Sequence, residues 1–177
     1  GLKDGLWKYY YEDGKIEQIG YYDMDLMEGE WIWYYRNGII RKREMYKNGV
    51  LNGNYSEYDS SGFCIIKGSY LENMKNETWE IYINNSKEVG RYKNDQKDGK
   101  WLIYYPDGKI KRIEYYKMDM EYGKWKEFYN NGNLKEEKKY KFGKLNGNLN
   151  KYNEKGELIL KIKYKNGEII KINNENI

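Results

Sequence analysis

Histidine is missing from this sequence of 177 residues, and cysteine and proline each occur once, as Cys64 and Pro106. Without histidine the chain has no Ser-His or Cys-His nucleophile pair, no histidine base and no histidine-containing zinc site. One cysteine permits neither an intramolecular disulfide nor a cysteine-rich metal cluster. These absences predict a protein that is not an enzyme and has no metal site and no cofactor.

Long apolar runs are absent too, since no stretch approaches the roughly 18 apolar residues of a membrane-spanning segment. The first residue is Gly1 and not methionine, which indicates a trimmed N-terminus. The compartment is unknown on this evidence. We expect a secreted or cell-surface location rather than a cytoplasmic one.

Aromatic residues and glycine are abundant, with 22 Tyr, 6 Trp and 19 Gly, whereas alanine does not occur at all. Lys and Arg total 32 against 28 Asp and Glu, so the net charge is only 32 − 28 = +4. A disordered chain has few aromatics and a large net charge, so this composition is typical of a folded one. Tyrosine, tryptophan and isoleucine favour strands, and the lack of alanine argues against helices.

The sequence repeats with spacings of 24, 24, 24, 22, 24 and 24 residues. Each repeat has an aromatic or apolar residue two positions after its start, a tyrosine or phenylalanine five after it, and a closing tyrosine. The repeats start at Gly5, Gly29, Gly53, Glu77, Gly99, Gly123 and Gly147. No linker divides the chain, so we predict a single repeat domain over residues 1–177, with 171–177 as a terminal tail.

Each repeat has the pattern of a β-hairpin, because Asp-Gly or Asn-Gly pairs such as Asp13-Gly14 separate two strand-like arms. These dipeptides predict tight primed turns, in which both central residues have positive φ. A second Gly or Asn cluster then leads to the next repeat. The fold class is therefore predicted to be all-β, an elongated single-layer antiparallel meander of about seven hairpins. The fourth repeat has Ser86 at the turn-glycine position and is two residues shorter. This irregularity is either a simple deletion or a bend that shapes a binding surface.

Alternation along the strands places Trp31, Trp33 and Tyr35 on one face of the sheet. Aromatics packed across hairpins hold such an array together, and those that stay exposed can bind a partner. The predicted binding residues share this face: Tyr9, Tyr11, Trp31, Trp33, Tyr35, Trp101, Tyr105, Trp125 and Tyr129. Carboxylate pairs such as Glu136 and Glu137 are interpreted as a solvated charged face.

The consensus G-x-W-x-x-Y-x-x-(N/D)-G-x-I, followed by a closing tyrosine, resembles the MORN repeat variant, also called MORN-2. It is found in the bacterial antitoxin family called YwqK-like. Gly99, Trp101, Tyr104, Ile110 and Tyr116 carry the match in the fifth repeat. The resemblance implies stacked hairpins and a role in protein or membrane-surface interaction. A competing resemblance is to the choline- and glucan-binding repeats of Gram-positive surface proteins, which are also aromatic hairpins.

The favoured function is a non-enzymatic scaffold that binds another protein through its aromatic face. The partner is predicted to be a toxin, in an antitoxin-like role, or a host or cell-surface protein, in a secreted role. The alternative is a module that binds an anionic membrane surface or a glycan- or choline-type ligand. Basic residues are interspersed with acidic ones, so nucleic acid is not an expected partner. A small-molecule substrate is not expected either.

Overall fold

The computed structural model describes residues 1–83 and 85–174, and these residues contain strands and no helix. The strands are β1 (Gly5–Tyr10), β2 (Ile16–Asp23), β3 (Leu26–Tyr34), β4 (Ile40–Lys47), β5 (Val50–Tyr58), β6 (Cys64–Leu71), β7 (Met74–Ile83), β8 (Ser86–Lys93), β9 (Gln96–Tyr104), β10 (Ile110–Lys117), β11 (Met120–Glu121), β12 (Gly123–Phe128), β13 (Leu134–Lys141), β14 (Lys144–Leu145), β15 (Gly147–Tyr152), β16 (Leu158–Lys165) and β17 (Glu168–Asn174). The prediction of an all-β antiparallel meander of hairpin repeats is confirmed.

Two pairs of short strands each form one hairpin arm interrupted by a single residue. Tyr122 separates β11 from β12, and Asn146 separates β14 from β15. Their N–H groups donate to the carbonyl oxygens of Tyr115 and Lys139 at 2.9 and 2.8 Å. The 17 strands therefore make fifteen arms (17 − 2), which are the predicted seven hairpins followed by β17.

The turn within the first hairpin is a three-residue loop, not the primed two-residue turn that Asp13-Gly14 predicts. Gly14 has φ 81°, but Asp13 does not have the positive φ that a primed turn needs. Gly14 N–H donates to the Tyr11 carbonyl at 2.9 Å, and Tyr11 N–H donates to the Lys15 carbonyl at 2.8 Å. This is a type I turn followed by one left-handed glycine, and the same bonds recur in all the hairpins with a turn glycine.

The primed turns lie instead between successive hairpins. Met24 and Asp25 join β2 to β3 with φ values of 45° and 70°, and Asn48 and Gly49 join β4 to β5 with 50° and 76°. Both central residues are thus left-handed, as a two-residue hairpin turn requires. The predicted turn type was wrong for a physical reason. A primed two-residue turn needs two left-handed residues, whereas the three-residue loop needs only one, which the glycine supplies.

The first residues of the second, third and fourth repeats lie at bulges in the ladder. Between β2 and β3 the register changes from Ile19 opposite Ile32 to Tyr21 opposite Glu28, and Gly29 at this bulge has φ 69°. Glu77 occupies the equivalent position of the fourth repeat with φ 61°. A positive φ strains residues with a Cβ, which explains why glycine starts the other six repeats.

The chain divides into two compact units. The first comprises Gly1–Tyr82 and Tyr92–Asp95, and the second comprises Ile83–Arg91 and Gln96–Ile177. Within each unit, successive arms pair antiparallel in chain order. The single-domain interpretation stays a prediction.

The predicted tail, 171–177, begins inside β17, which pairs with β16 through Lys163 opposite Lys171. Residues 175–177 lie outside the described part of the chain.

Tryptophan makes up most of the buried core. Trp31 and Trp79 are 1% exposed in the first unit, and Trp101 is completely buried in the second, with Ile103 and Leu149 also buried there. Cys64 is partly buried, and burial raises the pKa of its thiol. A search of the described residues for a helix long and apolar enough to cross a membrane finds none.

Candidate functional site: the aromatic face

The buried tryptophans lie directly against glycines of the preceding repeat. A Cβ placed on Gly20 would lie 2.1 Å from Cδ2 of Trp31, and one on Gly90 would lie 2.0 Å from Cδ2 of Trp101. Gly68 has the same relation to Trp79, at 2.2 Å. The indole therefore occupies the space that any other side chain at these positions would need, which buries its ring completely.

Two repeats have glutamate where these glycines lie. Glu44 and Glu114 are only 6% and 4% exposed, and each accepts a hydrogen bond from a closing tyrosine, Tyr46 at 2.7 Å or Tyr116 at 2.9 Å. A cation pairs with each carboxylate: the Lys42 ammonium at 2.9 Å from Glu44, and the guanidinium of the equivalent arginine in the other repeat at 3.3 Å. These contacts compensate the burial of the charges.

Burial raises the pKa of the Tyr46 hydroxyl, and the carboxylate of Glu44 that it contacts acts in the same direction. Burial likewise raises the pKa of the Tyr116 hydroxyl, and the neighbouring Glu114 carboxylate acts in the same direction. Both phenols therefore stay protonated donors above the pH at which an ordinary tyrosine ionises.

The closing tyrosines interleave with the tryptophans along each unit. Tyr22 meets Trp31 edge to face with ring centroids 4.8 Å apart, and Tyr70 meets Trp79 in the same way at 5.1 Å. In the second unit Tyr116 meets Trp125 at 5.1 Å. Edge-to-face pairs at these distances add to the stability that area burial provides. These sets of rings form the aromatic face that the alternation predicts.

Among the predicted binding residues, Trp31 and Trp101 belong to the core. Their exposed fractions of 1% and 0% leave no surface for a partner to contact. The indole N–H groups are used internally as well, donating to the Tyr21 carbonyl at 3.0 Å and to the Arg91 carbonyl at 3.2 Å. No binding proposal therefore rests on these two residues.

Four of the predicted tyrosines join one repeat to the next. The hydroxyl of Tyr11 donates to the Tyr34 carbonyl at 2.6 Å, and that of Tyr35 donates to the Tyr58 carbonyl at 2.7 Å. Tyr105 and Tyr129 make the equivalent bonds at 2.7 and 2.9 Å. Each bond spans 23 residues, so these half-buried side chains have a structural role between repeats.

The three remaining predicted residues, Tyr9, Trp33 and Trp125, are half-buried on the aromatic face. The Trp33 ring lies 6.0 Å from Trp31 and carries the Lys42 ammonium 4.3 Å above it. The Tyr9 ring lies 6.5 Å from the same buried ring. The structure thus brings Tyr9 and Trp33 together around Trp31, and places Trp125 separately in the second unit.

The ring and turn geometry has a counterpart among known repeats. Residues 3–24, 27–48, 97–118 and 121–142 match the family model of the MORN repeat variant. Four segments of this chain are therefore similar to the MORN repeat variant. A comparison with curated proteins finds no match, so the predicted link to the YwqK-like antitoxin family is not established by any relative.

The four matched segments are the first, second, fifth and sixth repeats. The third and seventh have Tyr55 and Leu149 in place of the tryptophan, and the fourth has Ser86 in place of the turn glycine. The third and seventh nevertheless pair as the four matched hairpins do, with Gly53 opposite Tyr70 and Gly147 opposite Tyr164. Backbone pairing therefore continues where the tryptophan is lost.

Ser86 makes a contact equivalent to that of the tyrosine hydroxyls of the MORN repeats, since its Oγ donates to the Tyr104 carbonyl at 2.7 Å. β7 ends at Ile83 and β8 begins at Ser86, so only two residues connect them. Whether this repeat shapes a binding surface stays a prediction.

Sequence reasoning missed the glycines under the tryptophans and the two buried glutamates. It also missed lysines that cover the rings of three repeats, such as Lys97, whose ammonium lies 4.0 Å from the Trp101 ring. The available signal was positional. One repeat position holds only glycine or glutamate in the first five repeats: Gly20, Glu44, Gly68, Gly90 and Glu114. This restriction to two residue types indicates that the position contacts the neighbouring repeat.

The carboxylate pair Glu136 and Glu137 lies in ion pairs, with Lys138 at 2.9 Å and Lys124 at 2.8 Å respectively. Burial opposes ionisation of Glu137, but its bonds to Lys124 and Asn150 outweigh that effect and lower the pKa of the carboxyl. Nowhere in 1–83 and 85–174 do three or more Cys, Asp or Glu side chains come together as a metal site would need.

Proposed function

We propose that this chain is a non-catalytic MORN-repeat scaffold that binds another protein along its aromatic face. MORN repeats commonly mediate protein or membrane interactions. The observation that carries the proposal is the first-unit aromatic patch, defined as Trp7, Tyr9 and Trp33 around the buried Trp31. Trp7 and Tyr9 lie 6.3 Å apart, and all three patch residues stay half-exposed.

The patch exceeds what stacking of the repeats requires. Positions equivalent to Tyr9 and Trp33 hold Glu57, Ile81 and Ile103 in the third to fifth repeats, which form hairpin arms without an aromatic there. Tryptophan and tyrosine are enriched at the energetic centres of protein interfaces. The proposed partner is a toxin, in an antitoxin-like role, or a host-surface protein, in a secreted role.

Site-specific photocrosslinking in the source cell tests this proposal. A photoreactive residue at Trp33 should capture one defined protein, whereas the same residue at Arg43 should not, because Arg43 pairs with Ile32 on the opposite face. Trp33→Ala should then weaken binding of the purified captured protein by roughly tenfold or more. Equal capture from both positions, or unchanged affinity of Trp33→Ala, would contradict the proposal.

A second candidate function, binding to an anionic membrane surface, is favoured by lysines on the opposite face of the second unit. Lys163 lies directly across from Lys171. Like charges directly opposite one another destabilise a sheet, and a bound anionic surface would relieve this repulsion. Within the described residues, no carboxylate lies within 4 Å of the Lys163 or Lys171 ammonium.

Sedimentation with phosphatidylserine vesicles tests the second candidate. The wild-type chain should bind them at low salt and dissociate as salt rises. Lys163→Glu with Lys171→Glu should abolish binding, while the charge-matched control, Lys109→Glu with Lys155→Glu in two exposed loops, should retain most of it. Equal loss in both double variants would indicate a net-charge effect and would count against a defined surface.

A further inference from the structure

Three repeats hold one of the chain's own ammonium groups against their tryptophan and closing tyrosine. Lys97 Nζ lies 4.0 Å from the Trp101 ring centroid and 5.0 Å from that of Tyr116. Lys75 and Lys3 take the equivalent place in the fourth and first repeats, at 4.7 and 5.0 Å from their tryptophan rings. A cation within about 6 Å of an aromatic face is attracted by the ring quadrupole.

All three lysines occupy one repeat position, two residues before the repeat start. The same position in the sixth repeat is Glu121. Its ring pair is nevertheless complete, because Trp125 and Tyr140 lie 4.9 Å apart with their planes at 55°. We call Trp125, Tyr140 and Glu121 the sixth-repeat cage. It has the rings that hold an ammonium elsewhere in the chain and a carboxylate in place of the lysine.

The carboxylate of the sixth-repeat cage has no cation of its own in the described part of the chain. Glu121 lies opposite Tyr116 in the ladder, is partly buried, and has no lysine or arginine nitrogen within 4 Å. Lys138 approaches the same rings only at 6.0 and 5.8 Å, at the limit of the attraction, and its ammonium is paired with Glu136 at 2.9 Å. The residue at the position of Lys97 therefore supplies no ammonium in the sixth repeat, and Lys138 approaches the rings from the neighbouring strand.

We propose that the sixth-repeat cage binds an alkylammonium group from outside the chain, namely a lysine side chain on a protein partner. The inference rests on the proposed function in taking the partner to be a protein. Charge complementarity supports it, because the cage combines two ring faces with the Glu121 carboxylate. The chain's own lysines show that an ammonium on a four-carbon stem fits between these rings.

The test follows the Trp125 indole N–H in nitrogen–proton correlation spectra of the whole chain during titration with N-acetyl-lysinamide. N-acetyl-norleucinamide, which has the same stem without the ammonium, is the matched probe. We expect a saturable shift of the Trp125 signal with the lysine derivative and none with the norleucine derivative. Absence of the shift with the lysine derivative would overturn the proposal. So would a response to choline with none to the lysine derivative, since the ligand would then be a free quaternary amine.

Two reciprocal variants separate specific binding from a general effect of charge. Glu121→Lys fills the cage as Lys97 fills the fifth repeat and should weaken the Trp125 response at least tenfold, with a folded spectrum. Lys97→Glu removes the ammonium that lies 4.0 Å from the otherwise buried Trp101 ring and should create a second response at the Trp101 indole. An unchanged Trp125 response in Glu121→Lys would overturn the proposal. The titration needs no partner and the crosslinking at Trp33 needs no cage, so either proposal can fail alone.

Discussion

Glycine and glutamate at one repeat position determine how far the next tryptophan is buried. Trp31 and Trp101 follow Gly20 and Gly90 and are almost completely buried, whereas Trp125 follows Glu114 and stays half-exposed. The glutamate side chain takes part of the space that the indole fills over glycine. A single residue thus decides whether a tryptophan serves only the core or also offers a surface.

Alanine substitutions at Gly20 and Gly29 should distinguish two uses of glycine. At Gly20 the new Cβ would lie 2.1 Å from the Trp31 ring, so Gly20→Ala should lower the free energy of unfolding by about 3 kcal/mol or more. At Gly29 nothing lies within 4 Å, and only the φ of 69° opposes a side chain, so Gly29→Ala should cost about 1 kcal/mol. Urea denaturation of both variants measures the difference. Similar costs would mean that the close contact at Gly20 is relieved by a shift of the indole.

At the scale of the turn, a side-chain oxygen of Asp25, Asn73, Asp95 or Asp119 ties four of the primed turns to a neighbouring hairpin. Asp119 Oδ1 accepts a hydrogen bond from the Lys97 backbone N–H at 2.7 Å, while the Asp119 N–H donates to the Lys97 carbonyl at 3.0 Å. The same two bonds join Asn73 to Leu51, with the amide oxygen as the acceptor at 2.7 Å. Aspartate and asparagine therefore provide the same acceptor oxygen for this backbone N–H.

Asp119→Ala should therefore destabilise the chain by about 1 kcal/mol, because the Lys97 N–H loses its side-chain acceptor. Asp119→Asn is the matched control and should cost little, since Asn73 performs the same function elsewhere. Thermal denaturation of the two variants makes the comparison. Equal destabilisation by both would show that the negative charge, and not the acceptor geometry, stabilises the turn.

Some primed turns carry bulky apolar residues in a left-handed conformation. Phe142 has φ 50° and is 64% exposed, and Met118 has φ 49° and is 52% exposed. Asn48 and Asn94 occupy the equivalent position elsewhere, also with φ 50°. Asparagine tolerates this conformation better than phenylalanine or methionine does.

Phe142→Asn should raise the free energy of unfolding by roughly 0.5 to 1 kcal/mol by relieving this strain. Chemical denaturation checks the change, and the reverse substitution Asn48→Phe should lower stability by a similar amount. A loss of stability in Phe142→Asn would show that the exposed ring contributes more through its contacts, such as Lys141 5.8 Å from its centroid, than its backbone costs.

At the scale of the whole molecule, protonated tyrosines contribute to the stability of both units. Burial raises the pKa of Tyr46 and Tyr55 in the first unit and of Tyr116 in the second, each with a neighbouring glutamate acting in the same direction. In the unfolded chain these phenols ionise near pH 10. Above that pH the unfolded state binds fewer protons than the folded state, so stability falls as pH rises.

The midpoint of urea denaturation should therefore decrease between pH 9 and 11. The double variant Tyr46→Phe with Tyr116→Phe should show a shallower decrease over this range, because two of the linked protons are gone. At pH 7 the same variant should be less stable than wild type, since both buried carboxylates lose a donor. Parallel pH profiles for wild type and variant would contradict this account.

Much of the fold could be predicted because its signals are local. Strand alternation, turn residues and the repeat spacing follow from backbone geometry within one hairpin, and the strands are where this pattern predicts them. The turn type predicted at Asp13-Gly14 was wrong, because this dipeptide is compatible with two loop lengths, and the hydrogen bonds that distinguish them involve Tyr11 and Lys15. Only the face of the sheet that carries the candidate site could be predicted. Strand alternation places Trp31 and Trp33 on the same face, but it does not show that Trp31 is buried and Trp33 is half-exposed.

The sequence by itself determined that this chain is a series of aromatic β-hairpins, because a two-residue alternation and left-handed turn residues act over short distances. Only the tertiary structure decided which rings are core, which tyrosines join neighbouring repeats, and which ring pairs hold a lysine close against them. These properties depend on residues that lie about one repeat apart and meet through strand register, as Gly20 meets Trp31 and Lys97 meets Trp101 and Tyr116. Because strand register determines which residues meet, equivalent positions of similar repeats differ in exposure and in charge.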